Sequence, residues 1–345
     1  MFLDYNIHPA HYLPRMKTID IHTHLLNPSV RFDRPLDRFI VRFFAKKLGV
    51  EVKRLKANPY SVYLESMARA ISESQHLEKT CLFGVDSRVD HKGRDIHRDE
   101  TVCASTEDVL AAAVHYPDSF IPFLSVNPDR PDALDLVDEY VERGCKGAKF
   151  LQNYWGVDLN NERLLPYYEK LKSNDIPLII HIGCEYTVQS DPDYERINMI
   201  ELPLKSGVTV IAAHMGLGRP NYKFRFWRNL SKNPDFFDQD YYTLLEKLTV
   251  YDNLYADLSA ILTPFKARSL RHISQQTMTH EKILFGTDFP VPFPIIFNTY
   301  DLDISTRLRI NAMENPFDRY IEALLEYFPA GSAIYSNYQK VLGIT

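Results

Sequence analysis

Five side chains able to ligate a metal fall at or just past the ends of short apolar runs. They are His22 and His24 in IDIHTH, His181 in PLIIHIG, His214 in VIAAHMG and Asp288 in LFGTDFP. His22 and His24 are two residues apart, and on a strand residues i and i+2 point to the same side. Both imidazoles can then share one ion, neutral imidazole being a common ligand of divalent zinc and its neighbours. Singly, each residue has a plainer reading: a polar pair at a strand end, a core histidine satisfied by backbone, a turn or cap aspartate. As a set, those plainer readings leave unexplained why all five sit at the same end of their runs. Lys149 lies within a similar run, GAKFL.

Chemistry from such scattered residues requires elements that bring them together. From residue 17 onward, short apolar runs alternate with longer amphipathic stretches. Strands are predicted over 17–26, 80–85, 120–126, 147–151, 177–182, 208–213, 253–258 and 283–285. Helices are predicted over 33–49, 59–76, 105–115, 131–142, 162–173, 234–250, 265–278 and 303–328, with another within 195–206. Asn58-Pro59 is a break, Ser105 or Thr106 a cap, and Gly144 a stop. Strands alternating with helices point to a parallel α/β sheet with right-handed crossovers, and the count of eight to a closed (β/α)8 TIM barrel. An open doubly wound sheet is the other arrangement, but no GxGxxG follows the first strand. In a barrel all strand C-terminal ends open onto one face, where active sites lie. Residues 1–345 read as a single domain, with 27–79 as a helical insertion after the first strand.

Composition narrows the function classes. The chain has 345 residues, 45% hydrophobic and 25% charged, with a formal charge of −5. That balance is ordinary for a soluble globular protein and argues against general attraction to nucleic acid or anionic membrane. Cys81, Cys103, Cys145 and Cys184 form no CxxC. This excludes a disulfide framework and a cysteine zinc site, and suits a reducing, cytoplasmic setting. The first twenty residues carry Asp4, His8, His11 and Arg15 and no long apolar run, so no signal peptide is expected. No run of ~18 apolar residues predicts a membrane span.

The ordered set IDIHTH, GAKF, PLIIHIG, VIAAHMG, LYADLS and LFGTDFP resembles the amidohydrolase superfamily. It is most similar to the amidohydrolase-related (amidohydrolase 2) branch of metal-dependent hydrolases, which includes aminocarboxymuconate-semialdehyde decarboxylase-like enzymes. The likeness runs from about residue 17 to 344, and FIPFLSVNP and LLPYYEKLKSNDIPLIIHIG fit it too. The resemblance implies one divalent ion held by His22, His24, His181 and Asp288, zinc first, with manganese or iron as alternatives. It implies that His214 lies beside the reacting water and orients or polarises the reacting group. In two-metal relatives the sixth-strand histidine binds a second ion, bridged by a carboxylated fourth-strand lysine, the place of Lys149. Otherwise Lys149 is a substrate-facing cation or part of an ion pair within the barrel.

The implied activity is hydrolysis of a small amide, ester or lactone. Metal-activated water attacks a carbonyl, with Asp288 as general base and then acid. The alternative on the same cradle is non-oxidative decarboxylation of an unsaturated or aromatic carboxylic acid. Decarboxylases of this branch usually carry an acid or arginine near the first strand. Here Leu25-Leu26-Asn27-Pro28 follows His24, with no charge until Arg31, which favours hydrolysis.

Specificity in this fold comes from the strand-to-helix loops. GRPNYKFRFWRNLSKN, after the sixth strand, is cationic and aromatic; Arg219 is its best candidate for gripping a substrate carboxylate. Its other reading is a solvated amphipathic helix. Arg88, in the mixed-charge loop after the second strand, and Glu185, after the fifth, are further candidates near the mouth. The expected partner is therefore a small, anionic substrate. Phe39, Phe43 and Phe44 of the insertion would pack on the barrel or on a second subunit in a homodimer.

Overall fold

The computed structural model describes residues 16–31, 37–96, 104–185, 188–218, 237–291, 295–299 and 301–344. Each predicted strand is present; seven are shorter than predicted, and the second starts three residues earlier, at Leu77, and stops at Phe83. They are β1 (Thr18–His24), β2 (Leu77–Phe83), β3 (Phe120–Pro122), β4 (Ala148–Phe150), β5 (Leu178–Ile180), β6 (Val210–Ala212), β7 (Leu254–Asp257) and β8 (Ile283–Leu284). All neighbours pair in parallel, β1–β2–β3 in one sheet and β4 through β8 in another.

Two seams join the sheets into a ring. Leu124 bridges Ala148, and Thr23 bridges Phe289, both in parallel sense. At the first seam Leu124 N–H donates to Gly147 O (2.9 Å) and Lys149 N–H to Leu124 O (2.8 Å). At the second, His24 N–H donates to Phe289 O and Asp288 N–H to His22 O, each over 2.8 Å. Gly286 permits that approach: a Cβ there would lie 3.1 Å from His22 Cβ. The fold is thus the expected (β/α)8 barrel, and closure removes the sheet edges.

The continuous apolar runs follow from burial on both faces. Ile179, Ile211 and Leu284 fill the interior beside Ile19, Cys81, Phe83 and Phe123. Their neighbours Leu178, Ile180, Val210 and Ala212 belong to the larger core around the barrel. Tyr338 and Val341, on the helix Tyr338–Leu342, join the interior cluster.

The helices differ in detail from expectation. The stretch predicted over 303–328 splits into Ile304–Asn311 and Pro316–Leu325, because the Asn315 side chain caps the second and Pro316 supplies its first position. Ser105, one of the two candidate caps, forms a full capping box with Asp108. The insertion contains α1 (Asp37–Leu48), α2 (Val52–Ala57) and α3 (Pro59–Ser72). α2 was not predicted: VKRLKA is largely polar and buries only Leu55. A short hairpin, Arg88–Val89 with Asp95–Ile96, also appears in the loop after β2. Phe44 packs against the main core, whereas the side chains of Phe39 and Phe43 lie outside the described residues. Among the described residues, no helix is long and apolar enough to cross a membrane.

Candidate metal centre

The barrel brings three of the expected ligands together. His22 and His24 end β1, and Asp288 lies just past β8, the strand that closes the ring onto β1. One ligand atom from each lies within 4.8 Å of the other two. Asp288 Oδ1 is 3.4 Å from His22 Nε2 and 3.2 Å from His24 Nε2. A register irregularity between Asp20 and Thr23 interrupts the alternation of β1. His22 and His24 both meet the ring of interior Phe83, with centroids 4.9 and 4.8 Å away.

Protonation states follow from the hydrogen bonds. His22 Nδ1 lies 2.8 Å from Asp257 Oδ2, an acceptor, so Nδ1 carries the proton. Its Nε2 is then a bare lone pair. That atom is buried and lacks any hydrogen-bond partner. Burial, then the charge of Lys149, pulls the His22 imidazolium form down, keeping the ring neutral. Burial alone would raise the Asp288 carboxyl, but the His24 hydrogen bond and the charge of Lys266 hold it well below the usual range. An imidazole lone pair facing a carboxylate oxygen is repulsive unless a cation sits between them. The carboxylate–histidine pairing behind it is the usual support for a metal-bound imidazole. Neutral nitrogen and carboxylate donors suit zinc, manganese or iron.

His214 follows β6 in a left-handed conformation, φ 59°, with Met215 at 55°. Asp257 accounts for this bend: its Oδ1 accepts the N–H groups of His214 (2.9 Å) and Ser259 (3.0 Å). The Ser259 hydroxyl also donates to that oxygen. His214 Nδ1 therefore donates to Ser259 O (3.1 Å) and Oγ (2.8 Å), leaving Nε2 unprotonated. Its ring centroid is 5.1 Å from that of His22. Burial, then the charge of Lys266, holds this ring neutral as well.

His181 stands beside the trio without joining it. Its Nε2 is 3.1 Å from Gly183 O, its Nδ1 is 3.8 Å from Glu185 Oε2, and its ring meets His214 edge-on at 4.9 Å. Burial pulls its pKa down to about 4. Gly183, at φ 99°, lets the chain pass Leu217 O, 2.5 Å from where a Cβ would stand.

The amidohydrolase family model matches residues 19–303, a span holding every side chain just described and every strand but for the first residue of β1. The chain belongs to the amidohydrolase family. No curated protein matches it significantly. Solved structures share its fold. A zinc-bound amidohydrolase from Burkholderia multivorans is 14% identical, with TM-score 0.54 over 95% of this chain and 99% of that one. A probable 2-pyrone-4,6-dicarboxylic acid hydrolase from Acinetobacter baumannii is 14% identical, with TM-score 0.53 over 95% and 100%. A 2,6-dihydroxybenzoate decarboxylase in complex with 2,6-dihydroxybenzoate is 13% identical, with TM-score 0.52 over 95% and 99%.

This amidohydrolase also buries two lysines near the centre. Lys149, 1% exposed on β4, has no hydrogen-bond partner for its ammonium among the described residues. That group lies 5.5 Å from the Phe83 ring centre. Burial, opposed by the charges of Asp257, Asp288 and Glu185, brings its pKa down to about 8. Lys266, just beyond β7, is buried too, and burial likewise lowers its pKa against the pull of Asp288, Glu185 and Asp257.

Two residues escaped the sequence reading. Asp257 ends β7 as the histidines end their strands, so its position was the available signal. Lys266 had none, because TPFKAR does not distinguish it from a surface lysine. Arg88 is committed to backbone: it donates to Tyr154 O and to Gln189 O (2.7 Å) and stacks 4.5 Å from the Tyr154 ring. Arg219 lies outside the described residues, as does most of its loop.

Proposed function

We propose that this amidohydrolase is a metal-dependent hydrolase of a small, anionic amide, ester or lactone. The observation that carries the reading is the orphaned, unprotonated His22 Nε2 facing Asp288 Oδ1 across 3.4 Å. In this reading His22, His24 and Asp288 hold a divalent ion, zinc first; His181, whose ring is turned to Gly183 O, would join as fourth ligand only on rotating toward them. Such an ion, when bound, lowers the pKa of water and polarises a carbonyl.

The chain's own residues do the rest. Asp288 takes a proton from the attacking water and returns it to the leaving group. His214 presents an unprotonated Nε2, because Ser259 occupies Nδ1. It therefore accepts a hydrogen bond from water or substrate; holding the water in line fits this tautomer and donation to an oxyanion does not. Lys149 and Lys266 supply the positive charge that favours an anionic substrate. The dicarboxylic pyrone named for the Acinetobacter hydrolase, a cyclic ester, supports a lactone carrying carboxylates. The dihydroxybenzoate decarboxylase keeps carbon dioxide release as the second reading on the same cradle.

Elemental mass spectrometry of protein purified without chelator tests the metal reading, with His22→Ala beside it. About one ion per chain, lost in the variant, supports it. No uptake of zinc, manganese or iron overturns it. About two ions per chain would make Lys149 a carboxylated bridge. A screen of lactones, amides, esters and carboxylated aromatics then separates hydrolysis from carbon dioxide release.

A further inference from the structure

We propose that Lys47, on the inserted helix α1 and outside the barrel wall, is a positioning residue for Asp288. Its importance for catalysis presupposes the metal-site reading above; its effect on the loop does not. Asp288 has φ 65°, a left-handed conformation that a Cβ makes unfavourable. Something must hold it there. Pairing of β8 with β7 ends at Leu284, four residues earlier; beyond it the turn is held by the seam with β1, through Asp288 N–H to His22 O and His24 N–H to Phe289 O, and by what packs on its outer side.

On the near side the Asp288 backbone N–H donates to His22 O, and Asp20 accepts from the Thr287 N–H (3.0 Å) and hydroxyl (2.5 Å). On the far side the chain turns through Phe289, Pro290 and Val291, with Val291 N–H returning to Asp288 O at 2.8 Å. Lys47 fastens this far side. Its ammonium donates to Pro290 O (3.1 Å) and Val291 O (2.8 Å) and lies 4.4 Å from the Phe289 ring centre. One cation thus touches three consecutive residues after Asp288. The same insertion supports the opposite ligand: the Tyr63 hydroxyl of α3 donates to His24 O at 2.5 Å. Burial, opposed by Asp288 and aided by Arg319, lowers the Lys47 ammonium to about 7. Lys47 is partly buried, and the loop contacts offset the cost of withdrawing its amine from water.

The test compares the full chain with Lys47→Met, Lys47→Arg and Leu48→Ala. Leu48, also on α1 and buried, touches the fold but donates nothing to the loop, so its variant controls for loosened packing. Amide hydrogen exchange over 284–291 reads the loop without reference to metal. The expected result is exchange at least tenfold faster in Lys47→Met, partly restored in Lys47→Arg and near wild type in Leu48→Ala. Zinc affinity, by competition with a chromogenic chelator, should fall at least tenfold in Lys47→Met alone. Unchanged exchange in Lys47→Met, or an equal rise in Leu48→Ala, overturns the positioning role. If the wild-type protein takes up no zinc, the metal reading falls while the exchange result still decides the role of Lys47.

Discussion

His22 Nδ1 donates to Asp257 Oδ2 over 2.8 Å, and both side chains are fully buried, although 235 positions separate them. This contact fixes which nitrogen of His22 faces the centre. Replacing Asp257 with Asn removes the charge that orients the ring and leaves a single oxygen to serve either His22 Nδ1 or the His214 and Ser259 N–H groups, not both. Zinc affinity in Asp257→Asn should fall about 10–100-fold, as for comparable supporting carboxylates. Chelator competition measures it, and an unchanged affinity would remove Asp257 from the metal centre.

Asp288 carries two roles in the proposed reaction, and an amide separates them. The Asn oxygen can still ligate but cannot take a proton. Asp288→Asn should retain much of its metal and lose about 10²–10⁴-fold in kcat on whichever substrate the screen finds. Normal turnover in a metal-replete variant would sink its role as base.

Gly183 tests the crowding between the loops after β5 and β6. A methyl group there meets Leu217 O at 2.5 Å and a φ of 99°. Gly183→Ala should cost about 1–3 kcal/mol through this overpacking, read as a lower midpoint in urea. Because Gly183 O is the partner of His181 Nε2, the histidine should shift as well. A wild-type midpoint would show that the loops yield freely.

Glu322, on the helix Pro316–Leu325, ties His76, just before β2, to Arg309 on the helix Ile304–Asn311. A His76 hydrogen bond (3.0 Å), partly opposed by burial and joined by Arg309 (3.0 Å), holds its carboxyl below the usual range. A depressed carboxyl stabilises the fold above the unfolded-state pKa, and that benefit disappears as pH falls through the folded value. The Tm gap between wild type and Glu322→Gln should therefore be present at pH 6 and close towards pH 3. Partial exposure limits the effect to about 1 kcal/mol or less. A gap that stays constant with pH would mean the loss is packing, not charge.

The eight strands were legible in the sequence because most of their residues are buried on both faces and so read as short apolar runs. The residues at their ends were legible for the same reason: PLII and VIAA stop where His181 and His214 begin. Local chemistry also showed in single positions such as the Ser105 cap. What the sequence left open were relations across the ring. The Asp257 contact to His22 and the Lys47 contacts to Pro290 and Val291 span 235, 243 and 244 positions. No local period records such distances. Only closure of β8 onto β1 brings Asp288 to the two histidines, and only that packing turns His181 toward Gly183 O instead of the trio. Side-chain type and strand period are properties of neighbours in the chain. Which nitrogen faces which oxygen is decided by where the tertiary fold ends each strand.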